Sequence, residues 1–255
     1  DLKTRLPIIS LYGKNKKPYP EQLNGIDILL FDIQDVGVRF YTYISTLHYV
    51  MEAAAENNTK VFVLDRPNPN GHYIDGPILD TAFRSFVGMH PVPARHGMTI
   101  GEMALFIKQN TLIKSADQLD LEIIELENWN RKKWHNEKCS EWIPPSPNIP
   151  DVNTALMYSG TCLLEGTNIS EGRGTDTPFM LFGAPWLNNK KLIKNLQTYK
   201  LKGIQFLEHD FTPVSIKGKV DNPKYNEMEC KGVKIRIYNK KKFNPFIVAM
   251  IIVNE

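Results

Sequence analysis

The segment Asp32-Ile-Gln34-Asp35-Val-Gly-Val-Arg39-Phe-Tyr41-Thr-Tyr43 gathers two carboxylates, an amide, a guanidinium and two phenols in a short stretch. It follows an apolar run, Ile26 to Phe31, that reads as a buried strand. Polar groups at the carboxyl end of a strand stand where open α/β sheets bind ligands. Three more loops repeat the pattern: Asp65-Arg66-Pro-Asn68-Pro-Asn-Gly71, Arg95-His96-Gly97-Met98, and residues 165–176 with Glu171, Arg173, Thr175 and Asp176. Carboxylates, amides, arginines and aromatics form the palette of a carbohydrate site. Glycoside hydrolysis needs a proton donor at the leaving oxygen and commonly a second carboxylate. Several arginines beside them point to an acidic substituent on the sugar, since guanidinium grips carboxylate through two hydrogen bonds.

Other chemistries lack their signatures. Glu171-Gly-Arg-Gly-Thr175 is glycine-rich but is neither GxxxxGK[ST] nor GxGxxG, which argues against a nucleotide-dependent enzyme. The six histidines show no HExxH spacing, and no GxSxG elbow marks a serine hydrolase. Cys139, Cys162 and Cys230 are far apart and form no CxxC, against both a disulfide framework and a zinc cluster. A net charge of +3, from 31 basic and 28 acidic side chains, is too balanced for a nucleic-acid partner. The lysine runs at 14–17 and 240–242 read as solvated loops. No apolar segment is long enough to span a membrane, and no signal peptide is present. The chain opens at Asp1 and ends inside an apolar run, so both ends read as cut from something longer.

The elements that must position these loops are partly visible. The spacing predicts a strand over 26–31, a helix over 41–56 with Ile44, Leu47 and Met51 on one face, and a strand over 60–64. The apolar run of the second strand suggests burial on both faces of a parallel sheet. Asn57-Asn58 stops the helix. Residues 72–98 show no strong periodicity. Thr99-Ile-Gly-Glu102 is a capping box opening a helix to about Gln109, which gives Glu102 a structural role. Residues 119–126 read as a strand, and a proline-dense crossing, 144–150, follows a Trp-rich loop. Residues 154–165 are ambiguous between helix and strand, with Gly160 against helix. A helix is expected over 188–199, strands over 204–206 and 233–238, and a helix after Asn244-Pro245. The fold class is α/β, with a parallel-sheet domain over 1–145 and a smaller α+β domain over 146–255.

Taken together, FDIQDVGVRFYTYISTLHYVMEAA, VLDRPNPNG, the Gly76-Pro77-Ile78-Leu79-Asp80 run, SFVGMHPVPARHGMTIGE, PPSPNIP and LLEGTNISEGRGTDTPFMLFGAPW resemble the exo-acting β-N-acetylmuramidase family of bacterial glycoside hydrolases. The match spans roughly residues 8 to 253. It implies a Rossmann-like domain with a smaller companion, and release of N-acetylmuramic acid from the non-reducing end of peptidoglycan fragments, without metal or cofactor. The lactyl carboxylate of that sugar would account for the arginines. The family's proposed catalytic glutamate lies in a Pro-Glu-His-Gly motif upstream of the region matching Asp1. On the residues present, the resemblance implies catalytic roles for Asp32 and Glu171, as second carboxylate or as holders of the acetamido group. It implies substrate binding by Gln34, Asp35, Arg39, Tyr41, Asn68, His96, Arg173 and Thr175, with Arg39 or Arg173 as the lactyl clamp. Partners would be muramyl saccharides, and the compartment periplasmic or extracellular. The competing expectation is a catalytically inactive protein that captures cell-wall fragments.

Overall fold

The computed structural model describes residues 3–132 and 141–255; Trp134 and Cys139 lie outside them. The chain forms two compact units, Asp1–Trp134 and His135–Glu255.

In the first unit a single turn, α1 (Pro20–Leu23), precedes β1 (Ile28–Phe31), α2 (Tyr43–Glu56) and β2 (Lys60–Leu64). Then follow β3 (Asp75–Ile78), β4 (Pro93–Arg95), α3 (Ile100–Gln109) and β5 (Leu121–Ile124). Strands β1, β2 and β5 form a parallel sheet in that order, with Leu29 opposite Val61 and Val61 opposite Leu121. The β1–α2–β2 crossover expected from periodicity is present. Helix α2 ends where Asn57 Nδ2 donates to the Ala53 carbonyl at 2.8 Å and Asn58 takes a left-handed φ of 54°. At the head of α3, Thr99 N donates to Glu102 at 2.9 Å and Glu102 N to the Thr99 hydroxyl at 3.2 Å, the reciprocal box.

The core joins Ile44, Leu47 and Met51 of α2, Met103 and Ile107 of α3, and Val61 and Val63 of β2. Each such side chain contributes about 1.5–3 kcal/mol on burial. Burial of β2 on both faces does not hold. Val61 and Val63 are fully buried, whereas Lys60, Phe62 and Leu64 are half-buried. The register explains this. Leu30 and Phe62 share the opposite face with Glu122, and Leu30 is 62% exposed. Both helices pack on the Val61 face.

Segment 72–98 holds structure that periodicity missed. Strands β3 and β4 pair antiparallel with a register shift between Asp75 and Ile78. They are too short, and too rich in Gly and Pro, to alternate visibly.

The second unit contains α4 (Val152–Thr161), a 3₁₀ segment (Cys162–Gly166), β6 (Leu181–Ala184), α5 (Asn189–Thr198), β7 (Ile204–Glu208), β8 (Lys231–Ile237) and α6 (Pro245–Asn254). Its sheet is antiparallel, in the order β6-β8-β7. The ambiguous 154–165 segment is helical: the Asp151 carboxylate accepts the Thr154 N–H at 2.7 Å and starts α4. Gly160 belongs there for packing. A Cβ on it would run into the Pro245 carbonyl at the head of α6, so its absence lets the two helices close. Asn188 and Asn244 cap α5 and α6 through the Lys191 and Ile247 N–H groups, both at 3.0 Å. Strand β6, buried along its whole length, was not anticipated.

Candidate functional site

Two neighbouring parallel strands deliver their carboxyl ends side by side, so the residues after β1 and β2 meet. Asp32 Oδ1 accepts from Arg66 Nε at 2.8 Å and Nη2 at 2.6 Å, a half-exposed ion pair. Asp65 turns the other way, accepting from the Thr99 hydroxyl and the Gly101 N–H, both at 2.8 Å, and docks the head of α3. Gln34 Nε2 donates to the Asp35 carbonyl at 2.6 Å and the Pro67 carbonyl at 2.9 Å, stitching the two loops together. Asn68 Nδ2 donates to the Met98 carbonyl at 2.7 Å, and its Oδ1 accepts the Asn70 N–H at 2.7 Å. The Asn68 amide fills the space that a Cβ on Gly37 would need, and Gly37 has a φ of 76°. The Gly in DIQDVG is thus required twice over.

Beneath these braces lies Asp35, 6% exposed. Its Oδ2 accepts the Gly37 N–H at 2.6 Å. Its Oδ1 is buried without a hydrogen-bond partner among the described residues. Burial pushes its pKa up to about 7, with the Gly37 and Val36 amides offsetting only part of the effect. His96 Nε2 lies 4.0 Å from Oδ2, too far for a hydrogen bond. His96 Nδ1 accepts the Met98 N–H at 3.2 Å, which assigns the ring proton to Nε2, the atom nearest Asp35. Burial, with Arg39 nearby, pushes the His96 pKa down to about 3, so the ring is neutral at neutral pH. The pair therefore carries one carboxyl proton that is half-occupied near neutrality, beside a neutral imidazole.

Arg39 is anchored by its backbone N–H to the Ala94 carbonyl at 2.8 Å. Its Nη1 donates to the Pro77 and Val92 carbonyls at 2.8 and 2.6 Å. Among the described residues no carboxylate pairs with it. Burial lowers its pKa. Tyr41 is buried with its ring edge-on to Tyr43, 4.8 Å between centroids.

The neighbourhood also holds groups to which the sequence reading gave no site role. His48 Nδ1 and His90 Nε2 lie 3.2 Å apart in the core. Burial drives their pKa values down to about 4 and about 3. Arg95 is buried, its guanidinium 3.6 Å from the Tyr73 ring centroid and its Nε on the Asn70 carbonyl. Arg95 stood in a quoted cluster; only its burial, invisible in sequence, gives it this bracing role.

In the second unit the glycine-rich loop is held to β6 by Ser170 and Gly183, which exchange backbone hydrogen bonds at 2.9 and 3.0 Å. Glu171, 5% exposed, stands between Lys224 Nζ at 3.2 Å and Arg173 Nε at 3.6 Å. Arg173 Nη2 also meets Glu165 at 2.5 Å. Burial works against the Arg173 charge, but Glu165 and Glu171 outweigh it and raise its pKa. Lys224, absent from the sequence reading, donates to the carbonyls of Leu164, Glu165 and Ile169, each at 3.0 Å. Thr175 closes a local turn, its hydroxyl donating to the Gly172 carbonyl at 2.6 Å and accepting the Thr177 N–H at 3.2 Å. The structure brings Asp32, Gln34, Asp35, Arg39, Asn68 and His96 into one set of interlocked loops in the first unit. Glu171, Arg173 and Thr175 form a separate network in the second. Among the described residues no cluster of three His, Cys, Asp or Glu side chains is arranged for a metal ion, and no helix is long and apolar enough to cross a membrane.

Comparison with known proteins gives these loops a context. The chain is 46% identical over 245 residues to the peptidoglycan β-N-acetylmuramidase NamZ of Bacillus subtilis strain 168; the alignment covers 95% of this chain and 56% of that protein. It therefore spans little more than half the length of this curated relative. Two crystal structures of DUF1343 family proteins from Bacteroides fragilis are similar. One has a TM-score of 0.89 and 36% identity, covering 99% of this chain and 64% of its own. The other has a TM-score of 0.78 and 35% identity, covering 100% and 74%. The N-terminal description of the exo-β-N-acetylmuramidase NamZ family matches residues 1–153 and the C-terminal description residues 156–255, and the chain belongs to that family.

Proposed function

We propose that this chain forms the substrate-holding part of an exo-acting β-N-acetylmuramidase, which releases N-acetylmuramic acid from the non-reducing end of peptidoglycan fragments during cell-wall recycling. The observation that carries this reading is the 46% identity over 245 residues to a peptidoglycan β-N-acetylmuramidase. The geometry of the first unit supports it. In hydrolysis the leaving glycosidic oxygen takes a proton and water supplies a hydroxyl to the anomeric carbon. The general acid is assigned to the glutamate of the Pro-Glu-His-Gly motif outside these residues. Asp35 is the second carboxyl: unlike Asp32 and Glu171 it has no cation within ion-pair distance among the described residues, only the neutral His96 at 4.0 Å. Its pKa of about 7 suits a group that holds and moves a proton near neutral pH. Arg39, lacking an acidic partner, is the clamp for the lactyl carboxylate.

Around that site we infer a Rossmann-like domain over 1–145, with a smaller domain over 146–255. The polymer being degraded argues for a periplasmic or secreted location. The test is release of N-acetylmuramic acid from a chromogenic muramide, or from a muramyl-glucosamine disaccharide, by a longer protein that includes the upstream motif. Release is expected; no release from either substrate sinks the proposal.

A further inference from the structure

The loop after β5 presents a braced aromatic ring. Because β1, β2 and β5 run parallel, all three deliver the loops that follow them to one edge of the sheet. The Asp65 N–H donates to the Ile124 carbonyl at 3.0 Å and ties the ends of β2 and β5 together. The β5 loop is then pinned to the head of α3. Arg131 Nη1 donates to the Gly97 carbonyl at 2.6 Å, one residue from His96, and Nη2 donates to Glu102 of the capping box. The guanidinium carbon lies 5.1 Å from the centroid of the Trp129 ring, within cation–π range. Glu102 therefore meets the Arg131 charge, and the guanidinium braces the indole. Trp129 itself is only partly buried. Its indole N–H has no hydrogen-bond partner among the described residues.

A pyranose matches such a ring. Its C–H face packs on the indole, and a hydroxyl or acetamide oxygen takes the N–H. The strand order places the ring relative to the rest of the site. Asp35 and Arg39 follow β1, whereas Trp129 follows β5, two strands away. Two strand spacings are roughly 10 Å, a distance of the order spanned by the two rings of a disaccharide. We propose that Trp129 is the platform for the sugar on the leaving-group side of the scissile bond. That sugar stacks on the indole face opposite Arg131, and Arg131 is the positioning residue of the platform. The identity of the sugar rests on the muramidase reading; the platform rests on the Trp129–Arg131 brace.

The test uses the longer protein with the upstream motif and the muramyl-glucosamine disaccharide. Trp129→Ala should raise KM about tenfold, the loss of one aromatic face, with kcat falling far less. Inhibition by free N-acetylmuramic acid, which fills only the Arg39 side, should keep its parental strength. Trp129→Tyr should recover most of the loss. Arg131→Ala, which frees the indole without removing it, should raise KM about threefold. A second measurement needs no turnover. The Trp129 indole N–H resonance of the 255-residue chain, assigned through Trp129→Phe, should shift saturably with the disaccharide and not with N-acetylmuramic acid alone. An unchanged KM in Trp129→Ala, equal weakening of the disaccharide and of free N-acetylmuramic acid, or no such shift overturns the proposal. The shift without muramic acid release by the longer protein would uphold the platform and remove the proposed function. Release without the shift would do the reverse.

Discussion

The Asp35–Arg39 loop of the first unit and the Glu171–Arg173 loop of the second hold the same residue types in opposite electrostatic states. Glu171 lies between two cations, and Arg173 between two carboxylates. Asp35 is equally buried, yet the basic side chain beside it is a neutral imidazole at 4.0 Å. Arg39 is tied only to carbonyls. Among the described residues the second loop pairs its charges with one another, although Glu171 Oε2 and Arg173 Nε make no hydrogen bond, whereas the first loop leaves Asp35 and Arg39 without an oppositely charged partner. A buried charge without a partner is costly, and such groups gather where chemistry needs them. On the proposed reading the first loop does the binding and proton-handling work and the second is scaffold.

The sharpest way to break that contrast is to neutralise each buried carboxyl in the longer, active protein. Asp35→Asn should lower kcat by about 10²-fold or more, the usual scale for a proton-transferring group. It should also remove an ionisation near pH 7 from the rate profile, below which the parent enzyme declines, because the second carboxyl works in its ionised form. Glu171→Gln should act on stability instead. Two cations then lose their shared acceptor, a loss of about 2–3 kcal/mol readable as a lower Tm, with the shape of the pH–rate profile unchanged. If Glu171→Gln shifts that profile and Asp35→Asn does not, the roles are reversed.

Ligand selectivity separates the two arginines next. Arg39→Ala should weaken N-acetylmuramic acid by about 10²-fold, the loss of a charge-assisted contact, while changing N-acetylglucosamine little. Arg173→Ala should affect both sugars alike. Equal loss of both sugars on Arg39→Ala removes the lactyl clamp.

Smaller still is the effect on stability of pH. Because the Asp35 pKa is raised from 3.8 to about 7 on folding, its contribution is complete below about pH 4 and is lost as pH rises through about 7. The integrated effect is on the order of 4 kcal/mol at most. Asp35→Asn should flatten that part of the stability profile, gaining on the parent between about pH 5 and 8 in thermal melts. The three buried histidines work in the other direction. Their lowered values favour the folded state above about pH 6.5, and that contribution is lost as pH falls toward 4.

Much of the scaffold was legible because its signals are local. The 3.6-residue spacing of Ile44, Leu47 and Met51, the Thr99/Glu102 box and the Asn244-Pro245 start each lie within a few residues. Strands β3 and β6 were not, because Asp75-Gly-Pro-Ile78 and Leu181-Phe-Gly-Ala184 carry glycine, proline or alanine at positions where branched and aromatic residues would mark a strand. Gly160 misled for a tertiary reason, the close approach of Pro245. At the candidate site the residue types were legible but their electrical states were not. Asp32 meets Arg66 and Glu171 meets Lys224 from distant parts of the chain. The burial of Asp35 depends on Asn68, His96 and Gly37 closing around it.

The central claim is that Asp35 has its proton held near neutrality by burial without a charged partner. It is tested most directly by following the Asp35 side-chain carboxyl carbon through a pH titration by ¹³C NMR on the 255-residue chain, assigned with Asp35→Asn. A midpoint near 7 is expected. A midpoint near the ordinary aspartate value of about 3.9 would contradict the account.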